Sequence, residues 1–187
     1  MRKTRGWIGA RLALAAVVIA IGVAPRAWAS PINVTNYATS GAVGTSGVTG
    51  SNMISFNAVA GGQYTSPSGF SLGEFLVGAL PDGSTTSYSN TPFTITYTTQ
   101  TVNGGVPTVN ETPLTITGKL NGSLTGSGQS SVVATFDPVT PDPTFRTGDF
   151  VNTLTVPTSF LLVPSSTNGG RTTVQSTISS SYNPLPT

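Results

Sequence analysis

The sequence predicts an all-β protein: a two-sheet antiparallel β-sandwich of about nine strands, with a jelly-roll-like winding as one form of it. Three observations carry that expectation. Apolar residues alternate with hydroxyl residues in short runs, Phe93-Thr94-Ile95-Thr96-Tyr97 being the cleanest, which is the period of a strand with one buried face. Gly, Pro and Asn clusters interrupt the runs at intervals of roughly eight to twenty residues, the spacing of sandwich and barrel strands. Beyond residue 29, no stretch keeps helical apolar spacing over three turns, and no internal repeat recurs at a fixed period.

Residues 1–29 read as a secretory signal peptide. Arg2, Lys3, Arg5 and Arg11 form a basic start, Leu12–Val23 is apolar, and Ala27-Trp28-Ala29 offers a small-x-small cleavage site before Ser30. The apolar run is too short to cross a bilayer, which takes about 20 residues, so no stable membrane insertion is expected after cleavage. There is no cysteine to carry a lipid and no Arg-Arg pair, which points to the general secretory route. The expected location is secreted or extracytoplasmic.

Residues 30–178 are expected to form the single sandwich domain. Ser30–Ala38, with Pro31 near its start, reads as an edge strand, followed by a Gly/Ser/Thr-rich loop over Thr39–Asn52. Met53–Ala60 is the next strand, Gly61–Ser68 a turn, and Phe70–Leu80 a strand apolar on both faces, as when both are covered. A turn from Pro81 leads to Phe93–Tyr97, and Val102–Thr112 is loop. Leu114 and Ile116 mark another strand, and Asn121-Gly122 is the dipeptide of a type I′ turn, so that Thr115–Leu120 would pair with Ser123–Thr125. Val132–Phe136 alternates again. Asp137–Asp149, with three prolines, reads as a rigid loop. Phe150–Val156 and Ser159–Val163 flank Pro157, and Thr172–Ile178 is the last strand. Residues 179–187 are expected to be a disordered Pro/Ser tail. The core should draw on Phe56, Phe70, Leu72, Phe75, Val77, Phe93, Ile95, Leu114, Ile116, Phe136, Leu154 and Leu162.

Removing the leader reverses the charge balance. Lys119, Arg146 and Arg171 remain against Glu74, Asp82, Glu111, Asp137, Asp142 and Asp149, a net charge of −3. Nucleic-acid binding needs clustered basic residues to neutralise phosphates, so no nucleic-acid partner is expected. The remaining 158 residues include 52 Ser and Thr and no Trp, a composition suited to strands and turns. Without cysteine, stability must come from packing alone.

The chemistry on offer is sparse. His and Cys are absent throughout, which removes Ser-His-Asp and Cys-His catalysis and thiolate or imidazole metal sites. What remains is six carboxylates, Lys119 and the tyrosines Tyr37, Tyr64, Tyr88 and Tyr97. Glu74 and Glu111 are the candidate pair for a glycosidase-like reaction. The simpler reading turns Glu74 outward at a bend near Gly73, to meet Lys119 or Arg171. Asp137, Asp142 and Asp149 could supply oxygens to calcium, although their spacing is not that of an EF-hand and Asp-Pro steps are ordinary turn formers. Thr94, Thr96 and Thr98 make a hydroxyl row suited to sugar, ice or a second strand, or simply to the wet face of a sheet. Asn33, Asn110 and Asn121 open N-x-[ST] sequons. No catalytic, cofactor or metal residue is assigned.

The segments SLGEFLVGALPDG and NTPFTITYTTQTVNG, followed by TPLTITGKLNGSLTG and SSVVATFD, resemble exported bacterial β-domains found upstream of PEP-CTERM-type sorting signals. The likeness spans residues 53–178 and implies a surface or matrix location without a known activity. A sorting signal has a Pro-Glu-Pro-like motif, an apolar helix and a basic end, whereas this sequence ends Asn183-Pro184-Leu185-Pro186-Thr187. Three function classes follow: a non-catalytic structural or interaction module of the cell surface or matrix, a carbohydrate-binding module, and a carboxylate-dependent glycan-active enzyme. For sugar binding, Tyr64, Tyr88 or Tyr182 would have to replace the missing Trp platform. Expected partners are extracellular polysaccharide or further copies of the chain, the latter through edge strands near Ile32–Tyr37 or Thr172–Ile178.

Overall fold

The computed structural model describes residues 32–103, 105, 113–139 and 142–184; the expected signal peptide, Asn110, Glu111 and the last three residues lie outside them. The described chain is all-β, two curled antiparallel sheets facing one another. Numbered in chain order, the larger sheet holds β1 (Asn33–Val43), β2 (Val48–Thr49), β4 (Gly62–Ser66), β6 (Thr85–Val102), β7 (Leu114–Thr125), β8 (Gln129–Ser130), β9 (Val133–Phe136) and β12 (Ser159–Leu161). The smaller holds β3 (Ile54–Ala58), β5 (Ser68–Val77), β10 (Thr144–Thr147), β11 (Phe150–Thr155) and β13 (Arg171–Tyr182). Across the larger sheet the order is β12-β9-β7-β6-β1-β4, with β2 on β6 and β8 on β7. Across the smaller it is β10-β11-β13-β5-β3.

The alternation seen in the sequence sets the inner faces. Along β6, Tyr88, Phe93, Ile95 and Tyr97 are buried, while Ser87, Pro92, Thr94 and Thr98 are exposed. Leu114, Ile116, Leu120 and Leu124 of β7 join them, and Phe70, Leu72, Phe75 and Val77 of β5 face them from the other sheet. Eleven of the twelve expected core residues are buried; Phe56 is half-buried and packs on the cluster's edge. Rings carry the contact across the sandwich. Phe136, Phe93, Phe75 and Phe56 meet edge to face in succession at centroid distances of 5.0, 5.1 and 5.4 Å. Each such pair contributes about 0.5–1.5 kcal/mol beyond area burial.

Glycine makes room for these rings. Gly118 stands directly opposite Phe93, and a Cβ there would lie 2.3 Å from the ring. Gly62 does the same for Tyr37 across the β1–β4 pair, also at 2.3 Å. A ring laid over a facing glycine packs where a side chain on both strands would clash.

Several expectations are corrected. Asn121-Gly122 is not a turn: β7 runs through it, Gly122 sits at φ +130, and the Asn121 side chain accepts the Asn90 N–H at 2.8 Å. That hydrogen bond secures the bulge where the β6–β7 register shifts between Tyr88 and Thr91. The reversal comes later, over Gly126–Gly128, and returns the chain as β8. Gly61–Ser68 contains β4, because Tyr64 and its neighbours pair with the start of β1. Thr39–Asn52 is partly strand, β1 reaching Val43 and β2 pairing with β6. The Asp137–Asp149 stretch includes β10, which forms a hairpin with β11 through Gly148. The two strands flanking Pro157 belong to different sheets. Residues 179–182 are not tail: β13 extends through Tyr182, pairing Ser179–Tyr182 with Phe150–Thr153.

The expected edges are interior. β1 lies between β6 and β4, and β13 between β11 and β5. The ends of the sheets are instead β4 and β12 in one, β3 and β10 in the other. Proline near a strand start suggested an edge at β1, but only the few residues around Pro31 bear on that inference, and pairing begins at Asn33.

Strand directions divide the sandwich into two poles. β1 begins and β13 ends at the same pole, where the Asn33 side chain bonds Ser180 Oγ at 3.1 Å. At the other pole lie the end of β7, the start of β13 and the segment after β12.

Candidate functional site

The carboxylates of Glu74, Asp137 and Asp142 each have a local structural partner. Glu74 lies on the outer face of β5, where Gly73 adopts φ +128 and the β5–β13 register shifts between Thr173 and Gln175. It forms an ion pair with Arg171 and accepts a long hydrogen bond of 3.3 Å from Asn57 Nδ2. The outward reading of Glu74, with Arg171 as its partner, is therefore observed; Lys119 is on the other sheet, exposed and opposite Thr135. Glu74 borders a shallow cleft of about 200 Å³ with Asn57, Ser71 and Thr173. Glu111, the other half of the expected carboxylate pair, lies outside the described residues.

The aspartates stabilise turns. Asp137 accepts from Thr117 Oγ1 at 2.9 Å, and Asp142 accepts the Thr144 N–H at 2.8 Å in the manner of an Asx turn. Asp149 lies in the β10–β11 turn, where its carbonyl accepts the Asn183 N–H. Among the described residues no three His, Cys, Asp or Glu side chains converge to hold a metal ion, so the calcium reading of Asp137, Asp142 and Asp149 finds no site there.

Tyr64 and Tyr88, expected as possible sugar platforms, are in the interior. Tyr37, Tyr64, Tyr88 and Tyr97 are all 4% exposed or less, so Tyr64 and Tyr88 are not sugar platforms; Tyr182 is exposed and stands against Phe150. Their hydroxyls find partners inside. Tyr64 and Tyr97 meet at 2.8 Å, Tyr37 donates to the Ser71 carbonyl at 2.6 Å, and Tyr88 receives the Met53 N–H at 2.9 Å. Burial pushes the Tyr37 and Tyr88 hydroxyls above their usual pKa, opposed in part by these backbone hydrogen bonds.

The Thr row belongs to a wider field. Thr94 and Thr96 stand opposite Thr117 and Thr115 on β7, and Ser40 of β1 stands opposite Thr96. Further along, Gln63 donates to Asn36 at 3.0 Å and Asn36 to Thr101 at 2.7 Å, so side chains of three neighbouring strands form one chain of hydrogen bonds. This outer face is wet, polar and, apart from Lys119, uncharged along β1, β6 and β7.

No protein-family model, curated protein or solved structure matches the chain.

Two features escaped the reading of the sequence. One is a buried polar cluster joining the sheets, centred on Asn33 (1% exposed) and Asn152 (0%). Its burial removes Asn33 from the sequons open to a glycosyltransferase in the folded chain, whereas Asn121 is exposed. The other is a polar groove of about 400 Å³ at the pole away from the start of β1 and the end of β13, lined by Ser123, Thr125, Gln129, Ser130, Ser131 and Pro164. The Gly/Ser run before Val132 has only the composition common to turns. Pro164, more than thirty positions further on, could be placed beside it only by the tertiary fold.

Proposed function

We propose that the protein is a non-catalytic interaction module that works outside the cytoplasm, at the cell surface or in an extracellular matrix. The observation that carries this reading is the outer face of the larger sheet. Thr, Ser, Asn and Gln side chains from several strands lie there side by side, with little charge to repel a neighbour. Hydroxyls and amides both donate and accept, which suits many weak contacts with polysaccharide or with copies of the same chain. The leader-like residues 1–29 and the likeness of residues 53–178 to exported β-domains support the location. The engagement of Glu74, Asp137 and Asp142 in local structural bonds favours this reading over carboxylate catalysis, which needs a tuned acid and base.

Two measurements test it. Intact-mass analysis of protein recovered outside the cytoplasm should give a chain beginning at Ser30; a chain still carrying Met1–Ala29 would contradict the leader. A panel of glycoside-hydrolase substrates should show no turnover. Turnover abolished by Glu74→Gln or Glu111→Gln would replace the proposal with an enzyme.

A further inference from the structure

We infer that the polar groove at the far pole is a binding site for a neutral saccharide. This inference rests on the interaction-module reading and assigns that module a specific contact.

The groove is built from segments distant in sequence. The end of β7 and the whole of β8 form one wall through the Gly126–Gly128 reversal, and the segment after β12 forms the other. Hydrogen bonds hold the walls in place. Ser166 Oγ donates to the Gly128 carbonyl at 2.9 Å, joining the two sides, and the Leu162 N–H donates to the Val132 carbonyl at 2.8 Å behind them. Gly128, at φ +78, sits where a Cβ would lie 2.9 Å from Ser166 Oγ, so the backbone itself closes this corner. A site held this way loses little ordering entropy when a ligand enters. Its volume of about 400 Å³ lies at the lower end of the range for small-molecule pockets.

The lining selects the ligand class. Among the described residues no charged side chain borders the groove, which favours a neutral ligand over a phosphate, a sulfate or an ammonium group. It presents the hydroxyls of Ser123, Thr125, Ser130 and Ser131 and the exposed Gln129 amide. Several are already positioned by one another: Ser123 Oγ and Ser131 Oγ lie 3.2 Å apart, and Ser131 Oγ accepts the Ser123 N–H at 3.0 Å. A hydroxyl so engaged retains capacity for a further partner, since it has one donor and two acceptor positions. Sugar hydroxyls match that mixture of donors and acceptors, and the Pro164 ring gives an apolar surface to the C–H face of a pyranose. With no aromatic ring among its described lining residues, binding at a single groove is weak and gains from several copies along one polymer.

The groove lies at the pole opposite the one where β1 begins and β13 ends.

The test uses the purified chain and soluble neutral oligosaccharides of the β-1,4-glucan, α-1,4-glucan, mannan and chitin types, with binding followed by NMR shift perturbation. Expected are saturable shifts confined to residues 123–131 and 162–167 for at least one probe. Ser131→Trp, which fills the groove, should abolish them, and Gln129→Ala should weaken binding at least threefold; both variants must keep the parental melting temperature. Glu74→Gln, on the outer face of the other sheet, should leave binding unchanged. Binding that survives both groove variants but is lost in Thr96→Lys would overturn the groove and leave the interaction-module reading standing. Saturation of no probe at millimolar concentration would also overturn the groove. Cleavage of a probe would overturn the module reading itself.

Discussion

Asn33 Nδ2 donates to Asn152 Oδ1 at 2.9 Å, joining the first strand of the larger sheet to the interior of the smaller one. Neither side chain reaches solvent, and the network around them is shared. Thr35 donates to Asn33 Oδ1 at 3.1 Å, Asn152 Nδ2 donates to Thr147 Oγ1 at 2.7 Å, and Ser180 donates to Asn152. A buried amide left without its partner bears its full desolvation cost. Asn152→Ala should therefore destabilise the protein by about 1–3 kcal/mol in urea denaturation. The double variant with Asn33→Ala should lose less than the sum of the single losses, because the two residues share one network.

Phe93 sits between Phe75 and Phe136 with its ring over Gly118, and it is 2% exposed. Phe93→Ala should cost about 3–5 kcal/mol, the usual loss for a buried ring. Gly118→Ala attacks the same contact from the opposite strand and should cost about 1–3 kcal/mol through overpacking. An unchanged melting temperature in both would mean the register of β6 on β7 is off by one, because a single step turns every side chain to the other face.

The Glu74–Arg171 pair should matter little to stability. The side chains are 23% and 53% exposed, and exposed ion pairs are commonly worth under about 1 kcal/mol. Arg171→Ala should shift the urea midpoint only slightly, and the difference should shrink further at 1 M salt as screening increases.

Alkaline stability should be governed in part by Tyr37 and Tyr88. Their folded pKa values lie above the unfolded value of about 10 because burial disfavours the phenolate. The stability from keeping them neutral is fully present below pH of about 10 and is lost as pH rises through the raised folded values. Denaturation midpoints should hold steady up to that point and then fall. In the Tyr37→Phe and Tyr88→Phe variants the fall should be shallower.

The sequence made some of this architecture legible. The Phe93–Tyr97 alternation predicted which side chains face inward, because side-chain direction along a strand is a local property. Glu74 was assigned outward for a similar reason, a carboxylate in an apolar run beside Gly73. Strand order is not local. Nothing near Asn33 or Thr172 indicates that β1 and β13 each have neighbours on both sides, and Asn121-Gly122 carries the composition of a turn while acting as a bulge. Tyr64 and Tyr88 were ambiguous because a phenol can serve a wet surface or a satisfied interior, and only the opposing sheet decides between them. The groove could not be inferred at all, since its walls come together only when β7, β8 and the segment after β12 are assembled.

The placement of β13 also constrains how the protein can come together. The last described strand forms the middle of its sheet, inserted between β5 and β11, which are joined to one another only through it. Until that final segment arrives, β5 and β11 each expose an unpaired ladder, and the smaller sheet exists only as two separate hairpin-like pieces. The smaller sheet can therefore close only once β13 has been made. A chain lacking Arg171–Tyr182 would keep much of its hydrophobic sequence yet be unable to close the smaller sheet over it, which makes β13 the latch of that sheet.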